Sequence, residues 1–283
     1  MFMRRTILLA AAFAALTPTL VHAQNDGPQT DTVFDGDYLT VGVGGFYGPS
    51  YEGSDDYVLF PAPVIQGRLL GVAITPRPGG IALDFIPDAK DAKVGFSLGP
   101  VANIRRDRVS KIKDPVVKRL GKLETAVEVG GNAGVTVYDV VTGYDSLTVS
   151  ADARWDVAGA HKGMLWGPSI SYFTPVSKGV AVNLAISAEH MDRDYADYYF
   201  TVSPTGAVAS ALPTFQAKGG WKNVGVNALV GVDFDGDLTN GGLAGFVTGG
   251  YTKLLGDAKR TPLTSIRGDA DQWLVGAGLA FTF

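Results

Sequence analysis

Cysteine is missing altogether, which excludes disulfides, thiolate nucleophiles and thiolate metal centres. Charge is sparse: 18% of the 283 residues are charged, with a formal net charge of −4. That mildly acidic balance gives no reason to expect nucleic acid as a partner. Histidine is nearly absent, with three residues at positions 22, 161 and 190. No serine, histidine and acid fall into a recognisable nucleophile motif near His161 or His190, so both read as surface residues and an enzyme is the least supported class. No stretch reaches the roughly 18 consecutive apolar residues that a membrane-spanning helix needs.

The one strongly apolar run lies at the N-terminus. Arg4 and Arg5 precede an apolar segment from Ile7 to Leu20, interrupted by Pro18, and Val21-His22-Ala23 supplies small residues for cleavage. This pattern predicts a secretory signal peptide over residues 1–23, with Gln24 as the first mature residue. Its removal takes away two arginines and moves the net charge from −4 to −6.

What the chain has in quantity is glycine, 37 residues, and period-two alternation. The last eleven residues, WLVGAGLAFTF, place Trp273, Val275, Ala277, Leu279, Phe281 and Phe283 on one face of a strand and small residues on the other. Ser146 to Val157 alternates without a fault over twelve positions. Leu123 to Val137, Val94 to Ile104, Val180 to Ala188, Val224 to Phe234 and Leu39 to Tyr47 behave alike. Several of these segments exceed the five or six residues typical of soluble strands and match a tilted bilayer crossing. Short Gly/Asp/Asn connections alternate broadly with long ones, as in a barrel with tight periplasmic turns and larger external loops.

The fold class expected is therefore all-β, a transmembrane antiparallel β-barrel over residues 38–283, preceded by a periplasmic segment over residues 24–37. Twelve strands are predicted near 38–47, 57–67, 69–76, 79–86, 93–104, 123–138, 144–157, 164–174, 179–190, 220–235, 241–255 and 271–283. Pro76 and Pro78 in the third hairpin keep ten strands open, and a soluble sandwich shares the same alternation. Helix is expected only as loop turns, with one candidate from Asp114 to Gly121. In this register Trp155, Trp166, Trp221 and Trp273 all fall at the external membrane interface, where tryptophan is favoured. Phe281 and Phe283 close the last strand as its assembly end.

Three groups could carry function. Arg105, Glu124, Glu128, Asp152, Arg154 and Asp156 are predicted to point inward, either as a network that plugs the lumen or as a polar constriction of a narrow pore. The basic loop from Arg105 to Lys122 is a candidate for anionic lipid headgroups, or a solvated charge run. Asp233, Asp235 and Asp237 have the opening spacing of a calcium loop, but Leu238 and Ala244 stand where Gly and Glu are needed, so a hairpin turn is expected. No cofactor or metal is called for.

Specific strings then add to this reading. YEGSDDY (Tyr51 to Tyr57) with Pro61 and Pro63 after it, ETAVEVGG (Glu124 to Gly131), WGPSISY (Trp166 to Tyr172), YYFTVSPTGAVASALPTFQAKGG (Tyr198 to Gly220) and YTKLLGDAKRTPLT (Tyr251 to Thr264) resemble the MipA/OmpV family of outer-membrane proteins. The basic insert near Lys111 departs from that pattern. The resemblance implies a barrel of the MltA-interacting type in a Gram-negative outer membrane. It implies a scaffold role that joins a murein transglycosylase to a penicillin-binding protein; a narrow porin-like solute channel is the alternative.

Overall fold

Where polar and apolar residues alternate, each side of an extended chain has its own character, and such strands gain most by joining edge to edge around a closed ring. A computed structural model describes residues 32–89 and 92–283 of the chain. The predicted signal peptide over residues 1–23, and residues 24–31 of the segment expected to follow it, lie outside the described residues. The strands are β1 (Tyr38–Pro49), β2 (Tyr57–Leu69), β3 (Val72–Arg77), β4 (Gly80–Asp84), β5 (Val94–Arg105) and β6 (Ala126–Tyr138). They continue as β7 (Ser146–Asp156), β8 (Met164–Ser177), β9 (Val180–Met191), β10 (Gly220–Asp233), β11 (Gly242–Leu254) and β12 (Asp271–Thr282). Each pairs antiparallel with its sequence neighbour, and β1 pairs with β12 to close the cylinder. Val41 stands opposite Phe281, and the Phe283 amide donates to the Leu39 carbonyl at 3.0 Å.

The fold is a twelve-stranded transmembrane β-barrel. Its outer wall is apolar all the way round: Val43 on β1, Leu59 on β2, Phe96 on β5, Val149 on β7, Ile186 on β9 and Val275 on β12 are all exposed. A soluble protein rarely leaves so continuous an apolar belt in water. The ten-strand alternative is excluded, because β3 and β4 exist, although shorter than the alternation suggested.

The two rims differ. At one, the connections are short; Leu70 and Gly71 join β2 to β3 with φ of 53° and 80°, both in the left-handed region. At the other rim the long loops fold into a cap holding five short helices: α1 (Pro115–Lys118), α2 (Arg193–Phe200), α3 (Pro204–Ser210), α4 (Gly256–Arg260) and α5 (Pro262–Ser265). The predicted helix near Asp114 is there as α1, with the Asp114 carboxylate accepting from the Val116 and Val117 amides. Sequence periodicity did not reveal α2 to α5, which are too short to show an amphipathic repeat.

The buried apolar core sits in this cap. Tyr51, Ile112, Val117, Val202, Leu212 and Leu263 come from four different loops and pack together. Leu165, Met191, Tyr195, Tyr199, Phe200 and Leu254 form a second cluster where α2 meets the strand ends. Inside the barrel, glycine makes room for an aromatic stack. Phe46 lies 5.9 Å from Phe60 and 6.4 Å from Phe246, ring centre to ring centre. A Cβ on Gly276 would stand 2.4 Å from the Phe46 ring, and one on Gly278 2.5 Å from Phe246. Gly276→Leu should therefore destabilise the barrel by about 1–3 kcal/mol through overpacking. The check is the temperature at which the folded barrel loses its heat-modifiable gel mobility, which should fall relative to the parent chain.

Candidate functional site

Directly beneath the cap, charged side chains from seven of the barrel's elements converge on the axis. Period two decides which ones. Glu128 lies between outward-facing Val127 and Val129, and Arg154 between Ala153 and Trp155, so both point inward. Glu128 is fully buried and carries the centre of a lattice. The Arg105 guanidinium donates to it at 2.6 Å, the Arg154 Nε lies 3.4 Å away, and the Asn103 amide donates at 3.2 Å. Arg154 also pairs with Glu189 on β9 and lies 4.0 Å from Asp152, which in turn holds Arg77 at 2.9 Å. On the far wall Lys222 of β10, 1% exposed, bridges Glu189 and Glu52, the latter at 2.9 Å. Glu52 belongs to the β1–β2 loop, so the lattice spans the lumen. Four cations (Arg77, Arg105, Arg154, Lys222) face four carboxylates (Glu52, Glu128, Asp152, Glu189), which is how buried charge is tolerated.

The cap locks onto this lattice through Tyr195 of α2. Its hydroxyl donates to Glu52 at 3.3 Å, and Arg105 and Lys222 each lie 5.3 Å from its ring centre. Burial pushes the Tyr195 phenol far above its usual range, with the carboxylates of Glu52 and Glu189 adding to the effect, so it stays a donor. His161 joins from the β7–β8 loop. Its Nδ1 accepts the Gly163 amide at 3.1 Å, which leaves the proton on Nε2, 3.4 Å from Glu128.

One of the six residues expected in the lumen lies elsewhere. Glu124 precedes β6, which begins at Ala126 rather than residue 123; it is exposed in the loop, and its amide donates to the Tyr198 hydroxyl at 2.9 Å. Asp156, the last residue of β7, stands opposite Glu128 with the inward parity expected and accepts from the amides of Ala158, His161 and Lys162 at the strand end. Arg105, Glu128, Asp152 and Arg154 do come together. His161 is not the surface residue expected, because the cap folds over its loop and buries it. His190 is half-buried on the outer wall, its ring between Trp166 at 5.5 Å and Trp221 at 5.6 Å. Trp155, Trp166, Trp221 and Trp273 all stand on the outer face at the capped end. Asp233, Asp235 and Asp237 cap backbone amides of a tight turn, as in Asp233 accepting from Asp235 and Gly236.

Arg77, Glu52, Glu189, Lys222 and Tyr195 were missed. Glu189 was within reach, since it alternates with outward His190. Lys222 was obscured by a bulge between Trp221 and Asn223, and the loop residues carry no periodic signal.

The family can now be stated. The profile of MltA-interacting protein MipA matches residues 41–283. The chain belongs to this family. No curated protein matches it. Among solved structures it is similar to the outer membrane protein OprD from Pseudomonas aeruginosa, at 13% identity and a TM-score of 0.36, over 87% of this chain and 65% of that one. It is also similar to the toluene transporter TodX of Pseudomonas putida (8% identity, TM-score 0.36, 88% of this chain and 89% of that one). A third is the outer membrane channel DcaP of Acinetobacter baumannii (10% identity, TM-score 0.30, 88% and 96%). The chain spans just under two thirds of OprD.

Two outcomes follow for this MipA-family barrel. Glu128→Gln leaves Arg105 and Arg154 buried without their shared carboxylate and should destabilise the fold by about 3–5 kcal/mol, read from denaturant unfolding. Asp107, in the β5–β6 loop, accepts the Glu52 amide at 2.7 Å. Burial, with the Glu52 carboxylate next, pushes its pKa up from 3.8 to about 6. The folded cap thus favours the protonated acid, and this contribution is complete below pH 3.8 and lost as pH rises through about 6. Amide exchange in the Arg105–Lys122 loop should accelerate across that interval beyond the intrinsic rate, and Asp107→Asn should remove the step.

Proposed function

We propose that this chain is a non-enzymatic barrel of a Gram-negative outer membrane, exported by its signal peptide, whose short-turn rim faces the periplasm and docks murein-processing enzymes. The capped rim then faces outward, with Trp155, Trp166, Trp221 and Trp273 at the outer membrane interface and Phe281 and Phe283 at the assembly end. The observation that carries the docking role is the apolar exposure of the short turns: Leu70 is 91% exposed, and Val141 and Tyr144 are each 78% exposed. These side chains stand beyond the strand ends, where a soluble partner can reach them, and large exposed apolar groups there favour a protein contact. The family's description as MltA-interacting makes a murein transglycosylase the first partner to test, with a penicillin-binding protein the second.

A narrow channel is the second reading, favoured by the lumen below the lattice. Gln66, Ser187 and Asn227 point inward there and are solvent-exposed, which suits a hydrated well gated by the ion pairs.

Solubilised membranes should yield a murein transglycosylase with the parent chain and lose it with Leu70→Asp, Val141→Asp and Tyr144→Asp combined, the barrel remaining heat-modifiable. Retention of the enzyme by that variant would sink the docking role. In planar bilayers the parent chain should be silent; reproducible steps that widen with Glu128→Gln would favour the channel instead.

A further inference from the structure

The barrel wall is uneven. β2 pairs with β1 over twelve residues, Tyr57 to Arg68, but with β3 over only three, Gly67 to Leu69. The stretch from Tyr57 to Gln66 therefore has a partner on one side only. In hydrocarbon a bare edge is costly, because each unmet amide or carbonyl lacks water.

Two features blunt this edge. Lys113 donates to the Tyr57 carbonyl at 2.5 Å and Lys111 to the Leu59 carbonyl at 3.2 Å, so the odd residues of β2 turn their backbone groups away from β1. By the same alternation Pro61 and Pro63 face the seam, and proline has no N–H to leave unmet.

The lysines are held there deliberately. Ile112 between them is buried in the cap core beside Tyr51 and Val117, and Lys111 adopts φ of 60°, a left-handed conformation that costs a non-glycine residue energy. Both lysines are exposed, and neither has a carboxylate partner among the described residues. Each ammonium spends one donor on the strand and keeps two. The pair stands at the capped rim close to Tyr57, whose hydroxyl accepts the Trp273 amide. Below it the outer face of β2 is apolar, through Leu59, Pro61, Pro63 and Ile65.

We propose that this seam binds a phosphate-bearing membrane lipid, with Lys111 and Lys113 on the phosphate and an acyl chain along β2 where β3 falls short. Arg105 at the end of β5 and Arg108 of the same loop as the lysines take no part: Arg105 belongs to the lattice, and Arg108 is buried with its guanidinium on the Tyr199 carbonyl. The inference rests on the membrane placement of the barrel and on neither docking nor conduction.

The test uses the full mature chain in phosphatidylcholine vesicles. Because the native sequence has no cysteine, a single bimane fluorophore can be placed at Leu59→Cys, beside the seam, or at Ile170→Cys, on β8 across the barrel. Brominated phosphatidylglycerol and brominated phosphatidylcholine then serve as quenchers. Phosphatidylglycerol should be preferred over phosphatidylcholine by roughly three-fold or more at position 59 and not at 170. Lys111→Gln with Lys113→Gln should abolish the preference, and the double arginine replacement should keep it. Equal ratios at the two positions, or a preference that survives the glutamine pair, would overturn the site. Absence of quenching by either lipid at both positions would instead overturn the membrane placement, and the site with it.

Discussion

A backbone in hydrocarbon has to satisfy its own hydrogen bonds, and that requirement shapes this molecule more than any side chain does. Twelve antiparallel strands meet it by closing on themselves, β1 against β12. Closure fixes register, and register decides for every residue whether it meets lipid or lumen. The apolar outer belt, the inward charges and the glycine-lined aromatic stack all follow from that one condition. The seam beside β2 is where it is met least directly, by proline and lysine in place of a neighbouring strand.

The lumen raises the opposite difficulty. A twelve-stranded cylinder is too wide for its own side chains to fill as they fill a small barrel. This chain closes it near one rim with two layers. The cap supplies an apolar core shared among four loops, and the ion-pair lattice supplies the floor beneath it. Tyr195 belongs to both, packed among cap aromatics on one side and bonded to Glu52 on the other. Asp114 ties two loops of the cap to each other: burial pulls its carboxyl upward, yet Arg267 at 2.6 Å and the α1 amides hold it below the usual carboxylate range.

Much of the barrel was legible because lipid enforces alternation. Ser146 to Val157 has Leu147, Val149, Trp155 and Val157 on one face, and β7 follows that stretch within a residue at each end. The inward positions of Arg105, Glu128, Asp152 and Arg154 came from the same parity. Legibility failed where alternation stops carrying information. Glu124 continues the pattern by coincidence in a stretch that the cap draws into a loop. His161 and Tyr195 lie in connections whose conformation depends on other connections. Lys222 sits one residue from a bulge that shifts the count.

By itself the amino-acid order determined which stretches form strands and which side of each is apolar. Those properties are local, because each strand reports its surroundings with a period of two. The tertiary structure alone decided that Glu52, Glu189 and Lys222 complete the lattice, that His161 is buried and that β2 keeps a bare edge. Each of these joins residues tens to hundreds of positions apart, across a closure that no local repeat encodes.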